Sequence, residues 1–403
     1  MSTNDRPSDI RARLGLRPVI NVSGTMTSLG ASIAVPETVA IMGEILTQWT
    51  EIADLQRAAS RAIAQATGAE AGFVTASCSA AVTLGVAAAM TGTDLLAIER
   101  LPDASGLKSE VPVLAGHMVS YGAPVEQAIR LAGARVVPVG QATSAHAYQL
   151  AGAIGPQTAA AVYVVSHHVV DHGQIPFSTF VEICRSRGVP VVVDAASEYD
   201  LRGFVAQGAD LALYSAHKFL GGPTAGIVAG RKELVRAAYL QNRGIGRGMK
   251  VGKESIAGTI AALDAWARRD HAAVRAREGR ALALWVETLR ERAGIRAEIL
   301  PDPTGNPLDR LKVSVDPETA RISAWDLVDR LAAGDPPVIA RDHEAERGFF
   351  YLDPCNLHPE EEHVVARRLL DELERARGAN EPIVTPFPER ERAREAGLSR
   401  WPD

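Results

Sequence analysis

Cysteine and aromatic residues are scarce in this chain: three cysteines in 403 residues, and 5% Phe, Trp and Tyr. Cys78, Cys184 and Cys355 are an odd number without metal-ligand spacing, which speaks against a disulfide framework or a zinc site and suits a reducing cytosol. Positive charge is not in excess either, since 43 Lys and Arg face 48 Asp and Glu, for a net charge of −5. Such a balance gives no electrostatic footprint for nucleic acid or an anionic membrane, and neither is expected as a partner. No apolar run approaches the roughly 18–20 residues a membrane helix requires. The polar start, Met1-Ser-Thr-Asn-Asp-Arg-Pro7, lacks the apolar core of a signal peptide. The nucleotide loop Gly-x4-Gly-Lys-Ser/Thr is missing too. Its nearest approach, Arg247-Gly-Met-Lys-Val-Gly-Lys-Glu254, has arginine at the first glycine and glutamate in place of the hydroxyl. The Gly-x-Gly-x-x-Gly fingerprint fails in the same region. There is no internal repeat and no low-complexity segment. A soluble, cytoplasmic, globular protein of two or three domains is expected.

What the chain does contain is an alternation of short apolar runs and helical patterns. Arg17-Pro-Val-Ile-Asn-Val-Ser-Gly-Thr25 reads as a short strand entering a turn. Val39, Ile41, Met42, Ile45, Leu46 and Trp49 recur at helical spacing, and a second helix at 54–67 stops at Gly68. Strands at 71–75, 110–114, 135–139, 159–165, 189–194 and 211–215 then alternate with helices at 79–90, 125–132 and 177–186, and after Lys218 come Gly221-Gly-Pro-Thr-Ala-Gly-Ile-Val-Ala229 and a helix at about 231–241. This order predicts an α/β fold, a mostly parallel sheet with helices on both faces. A helical tract follows at 254–293. The remaining strands and helices, ending at about 377, predict a smaller C-terminal α+β domain. The expected division is an N-terminal arm with helices over 1–60, a large domain over 61–265, a small one over 266–378, and an extended tail over 379–403.

Two strands end in ionisable residues: Val189-Pro-Val-Val-Val-Asp194, and Leu211-Ala-Leu-Tyr-Ser-Ala-His-Lys218. Ligands of parallel sheets sit beyond the carboxyl ends of the strands, so one crevice would receive both a carboxylate and an amine. That pair is what pyridoxal phosphate needs, an anion to keep the ring nitrogen protonated and an amine for the aldehyde. Taken alone, Asp194 also suits a helix N-cap or a magnesium ligand, and Lys218 a solvated loop. Thr75-Ala-Ser77-Cys78-Ser79 lies between a strand and an Ala-rich helix, where first-turn N–H groups can cradle a phosphate; an ordinary N-capped helix reads the same way. Ser215 could donate to that phosphate.

The histidines and arginines supply further candidates. His117 follows a strand and could stack on a cofactor ring or lie in a surface turn. His217 could bond the phosphate or act as a second acid/base. His167, His168 and His172 do not share a helical face, and no metal is expected. Arg243, Arg247, Lys250 and Lys253 form a cationic run that could hold the carboxylate or a phosphate of the substrate, within one subunit or across a dimer interface, or simply be solvated. Arg341 ends a strand of the small domain, where a guanidinium fork suits a carboxylate.

On these motifs the chain resembles the fold-type I pyridoxal phosphate enzymes, in the group related to L-seryl-tRNA selenium transferase and the D-glucosaminate-6-phosphate ammonia-lyase-like proteins. The resemblance spans about 14–375. It is carried by Pro18-Val-Ile-Asn-Val-Ser-Gly-Thr25, Gly68-Ala-Glu-Ala-Gly-Phe-Val-Thr75, Met90-Thr-Gly-Thr-Asp94, Leu101-Pro-Asp103, Val193-Asp-Ala-Ala-Ser-Glu198, Ser215-Ala-His-Lys218 with Gly222-Pro223, and Pro336-Pro-Val-Ile-Ala-Arg341. It implies a fold-type I transferase architecture with pyridoxal 5'-phosphate held by Lys218, paired with Asp194, and phosphate-bound at Ser77 to Ser79. Relatives commonly have Ser-Gly-Gly-Lys where this chain has Ser215-Ala-His-Lys218. The implied activity is α,β-elimination from an amino acid or amino-sugar acid, giving a 2-oxo acid and ammonia. Racemase, aldolase or aminotransferase chemistry, and a non-catalytic cofactor-binding regulator, are the alternatives. A homodimer or larger homo-oligomer is expected, and no tRNA partner.

Overall fold

Valine- and alanine-rich runs build a seven-stranded sheet in the larger of two units, formed by residues 32–269 and 303–306. The structure, a computed structural model, describes residues 9–170 and 172–402. The sheet contains β2 (Ala71–Thr75), β3 (Glu110–Leu114), β4 (Arg135–Val139), β5 (Ala161–Val164), β6 (Val191–Asp194), β7 (Leu211–Ser215) and β8 (Gly226–Gly230). Their spatial order is β2-β8-β7-β6-β5-β3-β4. Only β8 runs antiparallel to its neighbours, and the rest point one way. The expected mostly parallel α/β sheet is therefore present.

The two-residue period of a strand assigns each side chain to a face. Val192, Leu211 and Leu213 join the core under the helix Cys78–Thr91, whereas Val191, Val193, Ala212 and Tyr214 join the opposite core with Ile63 and Phe180. Gly85 lets that helix approach the sheet, since a Cβ there would already lie 3.3 Å from Leu211 Cδ1. By the same parity Asp194 follows Val192 and Ser215 follows Leu213. Both strand-end residues thus fall on the face covered by the helix Cys78–Thr91.

The smaller unit draws on the described parts of 1–31, 270–302 and 307–403. Strands β9 (Ile295–Pro301), β10 (Asp309–Val315) and β12 (Phe349–Leu352) form an antiparallel sheet in the order β12-β10-β9. β1 (Ile20–Val22) pairs in parallel with β11 (Val338–Ala340). The N-terminal segment expected as one piece over 1–60 is therefore shared between the two units. Trp285 and Phe350 anchor the core, and the Trp285 indole donates to the Glu362 carbonyl at 3.0 Å. The helical tract at 254–293 is two helices, Lys253–Arg268 and His271–Leu289, the second capped by the Asp270 carboxylate. Helices Leu95–Arg100 and Ala147–Ala153 go beyond the sequence reading, being too short to show a period.

The tail expected to be extended carries instead the helix Phe387–Leu398. Its docking rests on Arg390, 6% exposed, which donates to both oxygens of Asp329 and to Asp342, each at 2.7 Å. Breaking a fully buried ion pair from one side costs about 3–5 kcal/mol, and less is expected here because Asp329 is half exposed and Asp342 keeps Arg394. Arg390→Ala is expected to release this helix, seen as faster amide exchange and tryptic cleavage confined to 387–398. Unchanged exchange there would show that the ion pairs do not hold it. Among the described residues no helix is long and apolar enough to cross a membrane.

Candidate active site

The carboxyl ends of β6 and β7 bring the two strand-end residues into one electrostatic neighbourhood. Asp194 closes β6 and is 8% exposed. Burial raises its carboxyl above the usual carboxylate range, and the nearby Lys218 ammonium opposes that rise. Its Oδ1 accepts from the Ala196 N–H at 3.2 Å and from the Cys78 thiol at 3.5 Å. Lys218 sits in the turn after β7, half-buried, and its Nζ donates to Ser197 Oγ at 2.6 Å. Ser197 escaped sequence reading because a turn serine has no periodic signal. The turn that carries it is itself braced: Asn306 accepts from the Tyr199 N–H at 2.8 Å and donates to the Ser197 carbonyl at 3.2 Å.

The turn after β2 is built as a helix start. Ser77 is the N-cap, accepting the Ala80 N–H at 3.0 Å, and the first-turn N–H groups of Cys78 and Ser79 have no intrahelical acceptor. Not every residue singled out here has a hydroxyl to spare. Thr75 is buried and donates to the Ser77 carbonyl at 2.8 Å, and Ser79 is bonded to the Tyr121 hydroxyl at 2.8 Å. Tyr121 is a neighbour that sequence reading missed. Ser215 is 4% exposed and shares the Cys78 thiol as a hydrogen-bond partner.

Two histidines flank this centre. His117 is 2% exposed; its Nδ1 accepts the Val164 N–H at 3.2 Å, and its ring meets Tyr163 edge-on at 4.5 Å. Burial pushes its pKa down to about 4, so the ring is neutral with its proton on Nε2. His217, next to Lys218, is 8% exposed, and neither ring nitrogen has a hydrogen-bond partner. Its carbonyl accepts from Ser32 at 2.6 Å, which fixes the backbone there. Burial and the Lys218 charge hold this imidazole below its ordinary pKa. An orphaned, buried imidazole is expensive unless something is meant to meet it.

The expected substrate cations are Arg247 in the larger unit and Arg341 in the smaller one. Arg247 is exposed on the short helix Ile245–Met249 and is not among the hydrogen-bonded neighbours of Lys218 or Asp194. In the smaller unit, Arg341 is 7% exposed, its Nε lacks a partner, and its nearest carboxylate is Glu344 at 3.8 Å. The rings of His167 and His168 pack together at 4.0 Å between centroids.

Known proteins are similar to this chain along most of its length. The family model described as L-seryl-tRNA selenium transferase matches residues 19–330. D-glucosaminate-6-phosphate ammonia lyase of Salmonella typhimurium is 37% identical over 368 residues, covering 91% of this chain and 99% of that protein. The 5'-C-glycyluridine monooxygenase-decarboxylase of a Streptomyces species is also 37% identical, over 358 residues, covering 88% and 90%. A solved structure of D-glucosaminate-6-phosphate ammonia-lyase superposes with a TM-score of 0.83, covering 92% of this chain and 99% of that one. The architecture is that of the fold-type I pyridoxal phosphate enzymes. With its sheet order, its strand-end acid and amine, and these likenesses along nearly its whole length, the chain belongs to the L-seryl-tRNA selenium transferase (SelA) family, in the group that includes D-glucosaminate-6-phosphate ammonia lyase.

Proposed function

We propose that this protein is a pyridoxal phosphate-dependent lyase that releases ammonia from an amino acid or amino-sugar acid by α,β-elimination. The observation that carries the reading is the pairing of Asp194 and Lys218 at the ends of adjacent strands, with the amine held at 2.6 Å by Ser197. The chain's own groups fit the cofactor. A buried carboxylate suits a protonated ring nitrogen, two open first-turn N–H groups and the Ser77 hydroxyl suit a phosphate, and the His217 ring, next to Lys218 in the chain, has both nitrogens open among the described residues. Pyridoxal phosphate supplies an electron sink for the bond electrons at the substrate α-carbon.

The protein supplies the rest. Lys218 would hold the cofactor and its Nζ would serve as the base for the α-proton, with Ser197 keeping that nitrogen oriented. His217, kept neutral by burial, offers one donor and one acceptor to the departing β-hydroxyl. The hydroxyl leaves as water, one water returns on hydrolysis, and the net products are a 2-oxo acid and ammonia. His117, neutral and tied to Val164, offers a fixed flat neighbour to the ring. Arg341, with a buried Nε lacking an acceptor, suits a substrate carboxylate. Arg247 is exposed and open to an anionic group or a second copy of the chain. The enzyme works as a homodimer or larger homo-oligomer in the cytoplasm; Val39, Leu46 and Trp49, all more than half exposed, support self-association.

Purified protein given pyridoxal phosphate and a panel of 2-amino acids, including 6-phosphorylated 2-amino sugar acids, is expected to yield ammonia and a 2-oxo acid in equal amounts. Oxygen should not be consumed. Absence of ammonia from every candidate would sink the lyase reading. Oxygen uptake matched by carbon dioxide release would replace it with the chemistry named for the Streptomyces relative.

A further inference from the structure

Cys78 does something other than what its place in the phosphate turn suggests. Its backbone belongs to the helix start, but its thiol, 6% exposed, points down toward the sheet and meets Asp194 Oδ1 at 3.5 Å. The Ala196 N–H reaches the same oxygen, at 3.2 Å. Among the described residues Oδ2 takes no hydrogen bond. Both donors therefore occupy one oxygen of the carboxylate and leave the other with its full accepting capacity. The strand parity that puts Asp194 and Ser215 on the face of the helix Cys78–Thr91 makes this contact possible.

We propose that Cys78 is a positioning residue for Asp194: its thiol pins Oδ1, fixing the rotation of the carboxylate so that Oδ2 is presented to the protonated ring nitrogen of the cofactor. This rests on the pyridoxal phosphate reading above. A freely turning carboxylate would pay for its orientation each time the cofactor binds. One buried donor to a charged acceptor is a modest but measurable contribution, even from a weak S–H donor. Burial and the adjacent Asp194 also keep the thiol protonated, so it remains a donor and is a poor nucleophile.

The test compares three substitutions in the full-length protein, reading cofactor dissociation constant and the pH dependence of bound-cofactor absorbance as well as turnover. Cys78→Val keeps the bulk and loses the donor, Cys78→Ala loses both, and Cys78→Ser keeps a donor and loses bulk. Val and Ala are expected to weaken cofactor binding about tenfold and to move the absorbance transition to lower pH, with Ser within about threefold of wild type. Should Cys78→Ala fail to fold, the contrast of Val with Ser carries the same information. Equal effects of Val and Ser, or none from Val, would overturn the positioning role in favour of packing. Wild-type protein that takes up no cofactor would overturn the parent reading, and this one with it.

Discussion

Lys218→Ala is expected to cut turnover by about 10³-fold or more, the scale of a lost acid–base group, and to leave a protein that no longer retains its cofactor through dialysis. Two functions converge on this one nitrogen. On the proposed reading it would hold the cofactor aldehyde and serve as the base for the α-proton, so its loss would remove both an attachment and a base. The substitution should be mild structurally. Lys218 lies half-buried in a turn, and its one side-chain bond goes to Ser197. Circular dichroism and melting temperature are therefore expected to stay near wild type. The check is a reduced-borohydride label on the wild-type protein that maps to residue 218 and vanishes in the variant. Labelling elsewhere, or full activity without the lysine, would break the assignment. Added methylamine should restore part of the activity, because a soluble amine can replace the base but not the tether.

Asp194→Asn is the second large effect, a loss of about 10²–10³-fold in turnover, the range for removing one preorganised electrostatic contact. Here stability and function are expected to part company. Burial raises the carboxyl pKa of Asp194. A raised pKa means the folded chain binds that proton more tightly than the unfolded one. The group's stabilising contribution is then present below its unfolded value of 3.8 and is lost as pH climbs through the folded one. Above its folded pKa the buried anion is a burden on the empty protein. Asparagine keeps the shape and removes the charge, so the cofactor-free variant should melt no lower than wild type between pH 6 and 8. A clear drop in melting temperature would mean that Asp194 is a structural anchor. Unchanged cofactor affinity would mean that the carboxylate does not face the ring.

These two residues could be singled out in the chain because Asp194 closes one apolar strand and Lys218 lies in the turn just after another, and strand ends are where a parallel sheet collects its ligands. The alternation Val191/Val192/Val193 also carries the facing of Asp194, once one knows which helix covers which side. That second fact is tertiary. Nothing in Thr75-Ala-Ser77-Cys78 says that the thiol turns to Asp194 while the Thr75 hydroxyl turns back on its own backbone. Ser197 and Asn306 were out of reach for a similar reason, since their bond joins turns more than a hundred residues apart. The direction of β8 was hidden because Gly226-Ile-Val-Ala-Gly230 reads alike in either sense. The helix Phe387–Leu398 was hidden because its charged sequence looks like solvent-exposed arm until Asp329 and Asp342 are brought to Arg390.

The partnership of β1 with β11 sets a timetable for biosynthesis. Ile20 leaves the ribosome long before its backbone partner Val338. At about 5–20 residues per second the wait is some tens of seconds. Throughout it, Ile20 and Val22, both core residues of the smaller unit, have nowhere native to go. The nascent chain thus carries an unmet apolar segment until β11 arrives, and termination before Val338 would leave β1 orphaned.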